Sequence, residues 1–395
     1  MNGSAIARAL GATLLLGGLA VNADAQPGQS GSGGPGAAVA AAGLVHVPGT
    51  AAGPPGDIRE QTRRTLHLLA AALDRAGSDL AHAVTVHVYL ARAEDFAAMN
   101  EAYANAFPSD PPTRTTIVAG LTRPGALVEM SAVAVPRGVA RDVVHPAGWA
   151  RSPNPYSYGI KTGDVLFLSG VVPRDTTTNR PVEGDVGVQT RVVLDHARQV
   201  LAAAGFSLDE VVSARVFLTD ASTFERMNTA YREAFGTARP VRATVVSTLM
   251  HPAFGVEITL VAARGARRAV AAAPRADGTP GAASPNFNAA LSVGRRVYVS
   301  GMLGRPAEHA SDVRAQTRDA LAAIGRTLAE VGVTARDVVD ATVYLTDAGL
   351  LPAVDEVWRE VFGEAAVART VVQTGLVVPG ALVEVAVTAV CPVAP

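Results

Sequence analysis

An α+β fold of three tandem units, each a mixed sheet with two helices on one face, is predicted by three features of this 395-residue chain. One arginine and one glutamate recur 15 residues apart, at Arg114 and Glu129, Arg242 and Glu257, and Arg369 and Glu384. Each pair is preceded at fixed distance by a Gln-Thr dipeptide, at Gln61, Gln189 and Gln316, so no insertion or deletion has entered that span. Between dipeptide and pair, helical and strand periodicities alternate in the same order each time.

The first helix of each unit follows from apolar residues in steps of three and four. Leu66, Leu69 and Leu73 in unit 1 correspond to Leu194, Ala197 and Leu201, and to Leu321, Ile324 and Leu328. Gly77, Gly205 and Gly332 then stand where a helix needs a left-handed residue to end. Alternating runs over 84–90, 214–220 and 341–347 read as strands. A second helix follows over 94–107, 222–235 and 351–362. Its aromatic stripe (Phe96, Tyr103, Phe107; Phe224, Tyr231, Phe235) has the spacing of a buried face and is assigned to the core.

Units 2 and 3 open with a hairpin, over 155–170 and 286–301, each ending in Ser-Gly. Unit 1 has only the segment 41–49, so its first strand is expected to be degenerate. The Pro/Gly- and Arg-rich segments 137–153 and 264–285 read as linkers. Each unit is then ββαβαββ in about 100 residues, too few to cover both sheet faces, so the three are expected to close into a pseudo-threefold assembly. The units span 37–136, 150–264 and 284–392, unit 2 being the most complete.

Ahead of them, residues 1–25 carry one arginine, an apolar run and Ala23-Asp24-Ala25, the pattern of a secretory signal peptide, so an exported location, periplasmic or secreted, is expected; a cytoplasmic one follows if that segment does not work as a signal. The apolar run is too short to span a bilayer, and no membrane span is expected after cleavage. Residues 26–36 form a Gly/Ser/Pro linker, in which Gly31, Gly33 and Gly36 match a dinucleotide fingerprint by accident, since no strand precedes them. Cys391 is the sole cysteine, which excludes an intrachain disulfide. The net charge of −1 and the lack of a dense basic block argue against nucleic acid.

Chemistry concentrates on the repeated pair. A guanidinium at a strand start suits bidentate recognition of a substrate carboxylate. A glutamate flanked by apolar neighbours, facing a partly dry cleft, has the raised pKa that proton exchange requires. If residues 242 and 257 lie on the two arms of one hairpin turning near His251 and Pro252, the offset separates their backbones by roughly 16 Å. Arginine and glutamate are therefore expected to converge across unit boundaries. Metal-ligand spacings, nucleophile elbows and a phosphate loop are absent, and the single lysine, Lys161, sits beside a hairpin turn.

In unit 2, the ordered set PYSYGIKTGDVLFLSG, Gln189-Thr190, VFLTD, FERMNTAYREAF, PVRATV and VEI resembles the Rid (YjgF) family of enamine/imine deaminases, and the likeness extends to all three units. It implies chorismate-mutase-like units, here as an intramolecular pseudo-trimer in a monomeric chain. It also implies hydrolysis of 2-imino or 2-enamino acids to 2-keto acids and ammonia in clefts between units, with no metal or organic cofactor. On that likeness Arg242 binds the carboxylate and Glu257 orients water or shuttles protons, with Tyr156, Ser169, Gly170 and Asn228 lining the pocket. Unit 3 keeps Ser300, Gly301, Arg369 and Glu384 but has Phe287 for the tyrosine and Asp355 for the asparagine. Unit 1 keeps Asn100, Arg114 and Glu129, lacks the tyrosine segment, and has Pro48 for the serine. Fewer than three clefts are then expected to work. A carboxylate-binding or chaperone-like protein without catalysis is the alternative.

Overall fold

The computed structural model describes residues 37–392. The signal-peptide segment, the linker and its glycine pattern lie outside them. Unit 1 runs β1 (Val39–Ala41), β2 (Leu44–Thr50), α1 (Ile58–Arg75), β3 (Ala83–Leu90), α2 (Phe96–Ala106), β4 (Thr113–Val118), β5 (Gly120–Leu121) and β6 (Val128–Ala134). Unit 2 runs β7 (Asp142–Val144), β8 (Gly159–Thr162), β9 (Val165–Leu168), α3 (Val186–Ala203), β10 (Val211–Leu218), α4 (Phe224–Phe235), β11 (Val241–Val246) and β12 (Val256–Ala263). Unit 3 runs β13 (Arg267–Val270), β14 (Ala290–Val293), β15 (Arg296–Leu303), α5 (Val313–Ala329), β16 (Val338–Leu345), α6 (Leu351–Phe362), β17 (Ala368–Gln373), β18 (Gly375–Leu376) and β19 (Val383–Val390).

The first helices start on aspartates, Asp57, Asp185 and Asp312, whose carboxylates accept the N–H three residues on. They end before Gly77, Gly205 and Gly332, all at positive φ, as the spacing requires. Their apolar faces sink into the sheet: Leu69, Leu73, Leu201 and Leu328 are fully buried, each contributing about 1.5–3 kcal/mol by leaving water.

Two expectations change. The first strand of unit 1 is not degenerate: β1 pairs with β2 through a two-residue turn, Ala42-Gly43, with both residues at positive φ. The segments read as linkers also contain strands, since β7 pairs with β8 and β13 with β14, extending the sheets of units 2 and 3. Pro/Gly-rich flanks hid these short edge strands.

The sheet order also corrects the hairpin geometry. β4, β11 and β17 run parallel to β3, β10 and β16, and β6, β12 and β19 pair antiparallel with the other edge of those strands. Arginine and glutamate are therefore two strands apart: Arg242 aligns with Ala214, and Glu257 with Phe217. Two strand spacings and three residues of offset separate their backbones by about 14 Å. The pair stays apart within a unit, though not because of a hairpin.

The units close on each other edge to edge. β5 of unit 1 joins β17 of unit 3, and β18 of unit 3 joins β11 of unit 2. The edge of β4 is met by unit 2, through the Ile117–Leu249 bridge and the N–H of Val118 donating to Thr248 O at 3.0 Å. The cycle leaves each arginine-bearing edge strand paired with the next unit, so none is exposed to aggregation. Each unit has its own core between sheet and helices. Two further apolar clusters, one around Leu44, Ile160 and Tyr298 and one around Tyr89, Phe217 and Tyr344, join all three units on the other sheet face.

Candidate active site

Three clefts arise at the unit boundaries, and the register decides what each contains. In the opening hairpins the strand next to the glutamate strand is interrupted at Pro48-Gly49, Ser169-Gly170 and Ser300-Gly301. A Cβ at the glycine of each would displace the carboxylate of Glu129, Glu257 or Glu384 from its place. The serine reaches across the boundary. Ser169 Oγ accepts the backbone N–H of Arg114 at 2.8 Å and donates to Ser157 O at 2.7 Å. Ser300 Oγ does the same for Arg242 at 2.9 Å and Asn288 O at 2.6 Å. Arg114 thus belongs with Ser169, Gly170 and Glu257, and Arg242 with Ser300, Gly301 and Glu384.

Both guanidiniums are deeply buried, Arg114 at 4% and Arg242 at 3% exposure. Each sits among aromatic rings: Arg114 lies 4.9, 5.7 and 5.8 Å from the centroids of Tyr103, Phe96 and Tyr156. Arg242 lies 4.7, 5.2 and 5.6 Å from those of Tyr231, Phe287 and Phe224. The stripe assigned to the core therefore also forms the arginine cage, a role periodicity alone does not reveal. Phe287 takes the tyrosine's place over the guanidinium without its hydroxyl. Asn228 Oδ1 accepts from Arg242 Nη2 at 2.8 Å, whereas Asn100 donates to Asn154 at 3.1 Å and leaves Arg114 alone. Arg114 Nη1 and Arg242 Nε and Nη1 are buried without a partner among the described residues, as are the Tyr103 and Tyr231 hydroxyls. Desolvation lowers the pKa of both arginines. A buried guanidinium with free donors is a strong carboxylate receptor.

The facing glutamates are shifted the other way. Burial pushes Glu257 up to about 8, against the charges of Arg174 and Arg114 and a hydrogen bond from the N–H of Thr116. Burial likewise pushes Glu384 up to about 8, opposed by the N–H of Thr244 and by Arg242. Burial thus favours the carboxylic acid form of both at neutral pH, with the N–H groups of Thr116 and Thr244 across the boundary acting against it.

The third cleft has the same backbone and different side chains. Pro48 supplies no acceptor for Arg369, and the cage is reduced to Trp358, at 4.8 Å. Asp355 accepts from Arg369 Nη2 at 2.6 Å as an ion pair, with 23% of the arginine side chain exposed, while Arg369 Nη1 stays buried without a partner among the described residues. Glu129, raised to about 7 by burial alone, faces Gly49 and Thr370 with neither an arginine charge nor a backbone donor acting on it. Sequence reasoning marks these departures but not that Asp355 turns on the arginine.

Arg174 was not foreseen. Its guanidinium lies 5.5 Å from the Phe254 ring, acts on Glu257, and lines a recess beside Gly170 with Trp149, Tyr156, Tyr158 and His196. The corresponding Arg305 in unit 3 is held by Asp319 and Glu308 at 2.9 and 2.6 Å. Among the described residues, no group of three or more His, Cys, Asp or Glu is placed to hold a metal ion, and no helix is long and apolar enough to cross a membrane.

Comparison with known proteins matches this threefold geometry. A family model described as endoribonuclease L-PSP matches residues 35–136, 150–264 and 279–391. A RutC family protein of Sulfurisphaera tokodaii is 46% identical over 112 residues, 28% of this chain and 89% of its own length. A RutC family protein of Pyrococcus horikoshii is 36% identical over 122 residues, 31% of this chain and 97% of its own. A chorismatase crystal structure superposes with a TM-score of 0.55 over 89% of this chain and 99% of its own at 16% identity, a likeness of fold alone. With three successive matches and one arginine–glutamate cleft at each junction, the chain belongs to the endoribonuclease L-PSP family, that of the Rid/YjgF proteins, as three tandem units.

Proposed function

We propose that the chain hydrolyses small 2-imino or 2-enamino acids to 2-keto acids and ammonia at the Arg114/Glu257 and Arg242/Glu384 clefts. The observation that carries this reading is the pairing, across each boundary, of a buried arginine with free donors and a buried glutamate whose pKa burial raises. The arginine holds the substrate carboxylate. The glutamate then gives its proton to the imine nitrogen, which makes the carbon electrophilic, and as carboxylate accepts a proton from the attacking water. In the carbinolamine the glutamate gives its proton to the amine and takes back the hydroxyl proton, the C=O bond forms as the C–N bond breaks, ammonia leaves, and the glutamate ends protonated. An enamine first takes a proton at its β-carbon to become the imine. No oxidant or cofactor enters the balance.

The third cleft favours a different role. Its arginine is already paired and its glutamate lacks a fixed donor, so it is structural or binds ligand without turnover. The ribonuclease activity in the family's description gains no support here: the cleft arginines are too deeply buried to grip a phosphodiester backbone, and the chain is near neutral.

The test is release of keto acid and ammonia from freshly generated iminopyruvate by the purified chain, against buffer and against an Arg114→Ala/Arg242→Ala variant. A rate above buffer that the variant loses supports the proposal. A rate no higher than buffer, with retained binding of a 2-keto acid, leaves only ligand binding, and cleavage of single-stranded RNA by the wild type alone would favour the family's described activity.

A further inference from the structure

Fusion of three units lets their common axis carry residues that a symmetric trimer cannot. In an assembly of identical chains, a side chain on the axis meets two copies of itself, and an arginine there would face two arginines. Here the equivalent positions differ. His87, Arg215 and Thr342 share one register on β3, β10 and β16, and Thr85, Ser213 and Asp340 share the register two residues earlier. At the first position of β2, β9 and β15 stand Leu44, Val165 and Arg296.

These residues surround an axial cavity of about 80 Å³, bordered by His46, Phe167 and Tyr298. None of the cleft arginines, glutamates or serines lines it. Arg215 and Asp340 lie between the three sheets, and the fifth of each side chain that is accessible lines this space. The Arg215 and Asp340 head groups are 4.0 Å apart, beyond hydrogen-bond length, so the carboxylate does not close off the guanidinium. Arg296 donates one Nη to Ala42 O at 2.6 Å, while its Nε is buried with no partner among the described residues. His46 is 6% exposed, and its Nδ1 likewise has no hydrogen-bond partner, Asp340 being 3.9 Å away. Burial holds both His46 and His87 toward the neutral form.

The lining therefore carries two guanidiniums and one carboxylate, Asp340, a net charge of +1 with Arg296 Nε still free. An unmatched buried charge is costly, and a counter-ion relieves it. By volume the cavity holds about five waters, or a ligand with a similar number of non-hydrogen atoms. We propose that it binds one small monoanion, a short monocarboxylate or an inorganic ion of like size, between Arg215 and Arg296. The asymmetry that makes the site possible comes from unit 2 supplying one arginine, unit 3 the other together with Asp340, and unit 1 the neutral histidines.

The experiment uses the full chain. Crystals soaked in sodium bromide are expected to show an anomalous peak in the axial cavity within hydrogen-bonding reach of Arg296 or Arg215. In solution, titration with bromide or acetate at constant ionic strength is expected to be saturable. Arg296→Gln weakens that binding at least tenfold, and Asp340→Asn, which removes the one negative charge, tightens it several-fold. Acetate binding without bromide binding identifies a carboxylate site, and equal binding of both a general monoanion site. Bromide confined to the clefts or surface arginines, or affinities that Arg296→Gln and Asp340→Asn leave unchanged, overturns the proposal. So does weaker binding in Asp340→Asn, which would mark the cavity as one for a cationic or neutral ligand.

Discussion

The Arg242/Glu384 cleft and the Arg369/Glu129 cleft are built on the same backbone register and differ in what surrounds the guanidinium. In the first, Ser300 anchors the arginine's backbone, three rings enclose it and Asn228 orients it, leaving two nitrogens without partners. In the second, a proline replaces the anchor, one ring remains, and Asp355 neutralises the charge. The difference teaches that the repeated Arg–Glu pair does not by itself fix the surroundings of the guanidinium. Desolvation without a built-in counter-ion gives a buried arginine its affinity for a carboxylate, and the third cleft has lost that condition while keeping both named residues.

The sharpest way to break the comparison is to remove the two free arginines together. Arg114→Ala/Arg242→Ala deletes one partner of each charge-assisted substrate contact, worth about 2–5 kcal/mol, so kcat/KM for an imino acid should fall by about 30- to 5,000-fold. Steady-state kinetics on iminopyruvate measures it. Retention of most activity would mean that the third cleft is the working one and the comparison is inverted.

Proton chemistry separates the clefts next. If Glu257 and Glu384 act as acids, as proposed, kcat/KM should decline about tenfold per pH unit above an apparent pKa near 8. The same shifts govern stability. Folded-state values raised above the unfolded value near 4.5 mean that protonation favours the native chain. The contribution is complete below about pH 4 and disappears as pH rises through about 8. The urea midpoint should therefore fall between pH 5 and 8, and Glu257→Gln/Glu384→Gln should flatten that slope while abolishing turnover. Glu129, at about 7, should leave a smaller residual slope that ends earlier.

Single substitutions divide the activity by cleft. With two independent working clefts, Arg114→Ala and Arg242→Ala should each remove about half of the total rate, and Arg369→Ala almost none. A markedly unequal division between the first two would assign weight to Arg174 and its aromatic recess, present in one cleft and ion-paired out of use in the other.

How much of this was legible without coordinates follows from what sequence periodicity encodes. The helices, their glycine stops and the register of Arg114, Arg242 and Arg369 come directly from repetition, because helix faces and capping are local. Strand order is not local. Nothing in residues 240–263 tells that β10 lies between β11 and β12, and the natural assumption for neighbouring runs is a hairpin. β5 and β18, two residues each, join the units and carry no pattern at all. The double duty of Tyr103 and Tyr231 was hidden for another reason: a ring that fills a core and a ring that cages an arginine have the same helical spacing. Asp355 was visible as a departure, but whether it pairs with Arg369 or points away depends on rotamer and burial.

Asp355 also supplies the smallest and most discriminating test. Asp355→Asn would free Arg369 of its ion pair and restore the residue type found at Asn100 and Asn228. The arginine would still lack the serine anchor, two of the three rings and the opposed, donor-fixed glutamate. A gain in binding without a gain in turnover is therefore expected: calorimetry with a 2-keto acid should move from two sites toward three, the new one weaker than the others by about tenfold or more, since a partly exposed guanidinium competes with water for its ligand. Turnover should change by less than about a quarter, because proton transfer still needs a positioned acid. If the rate instead rises by half, charge neutralisation alone has silenced the third cleft, and Pro48 and the missing tyrosine segment matter less than their absence suggests.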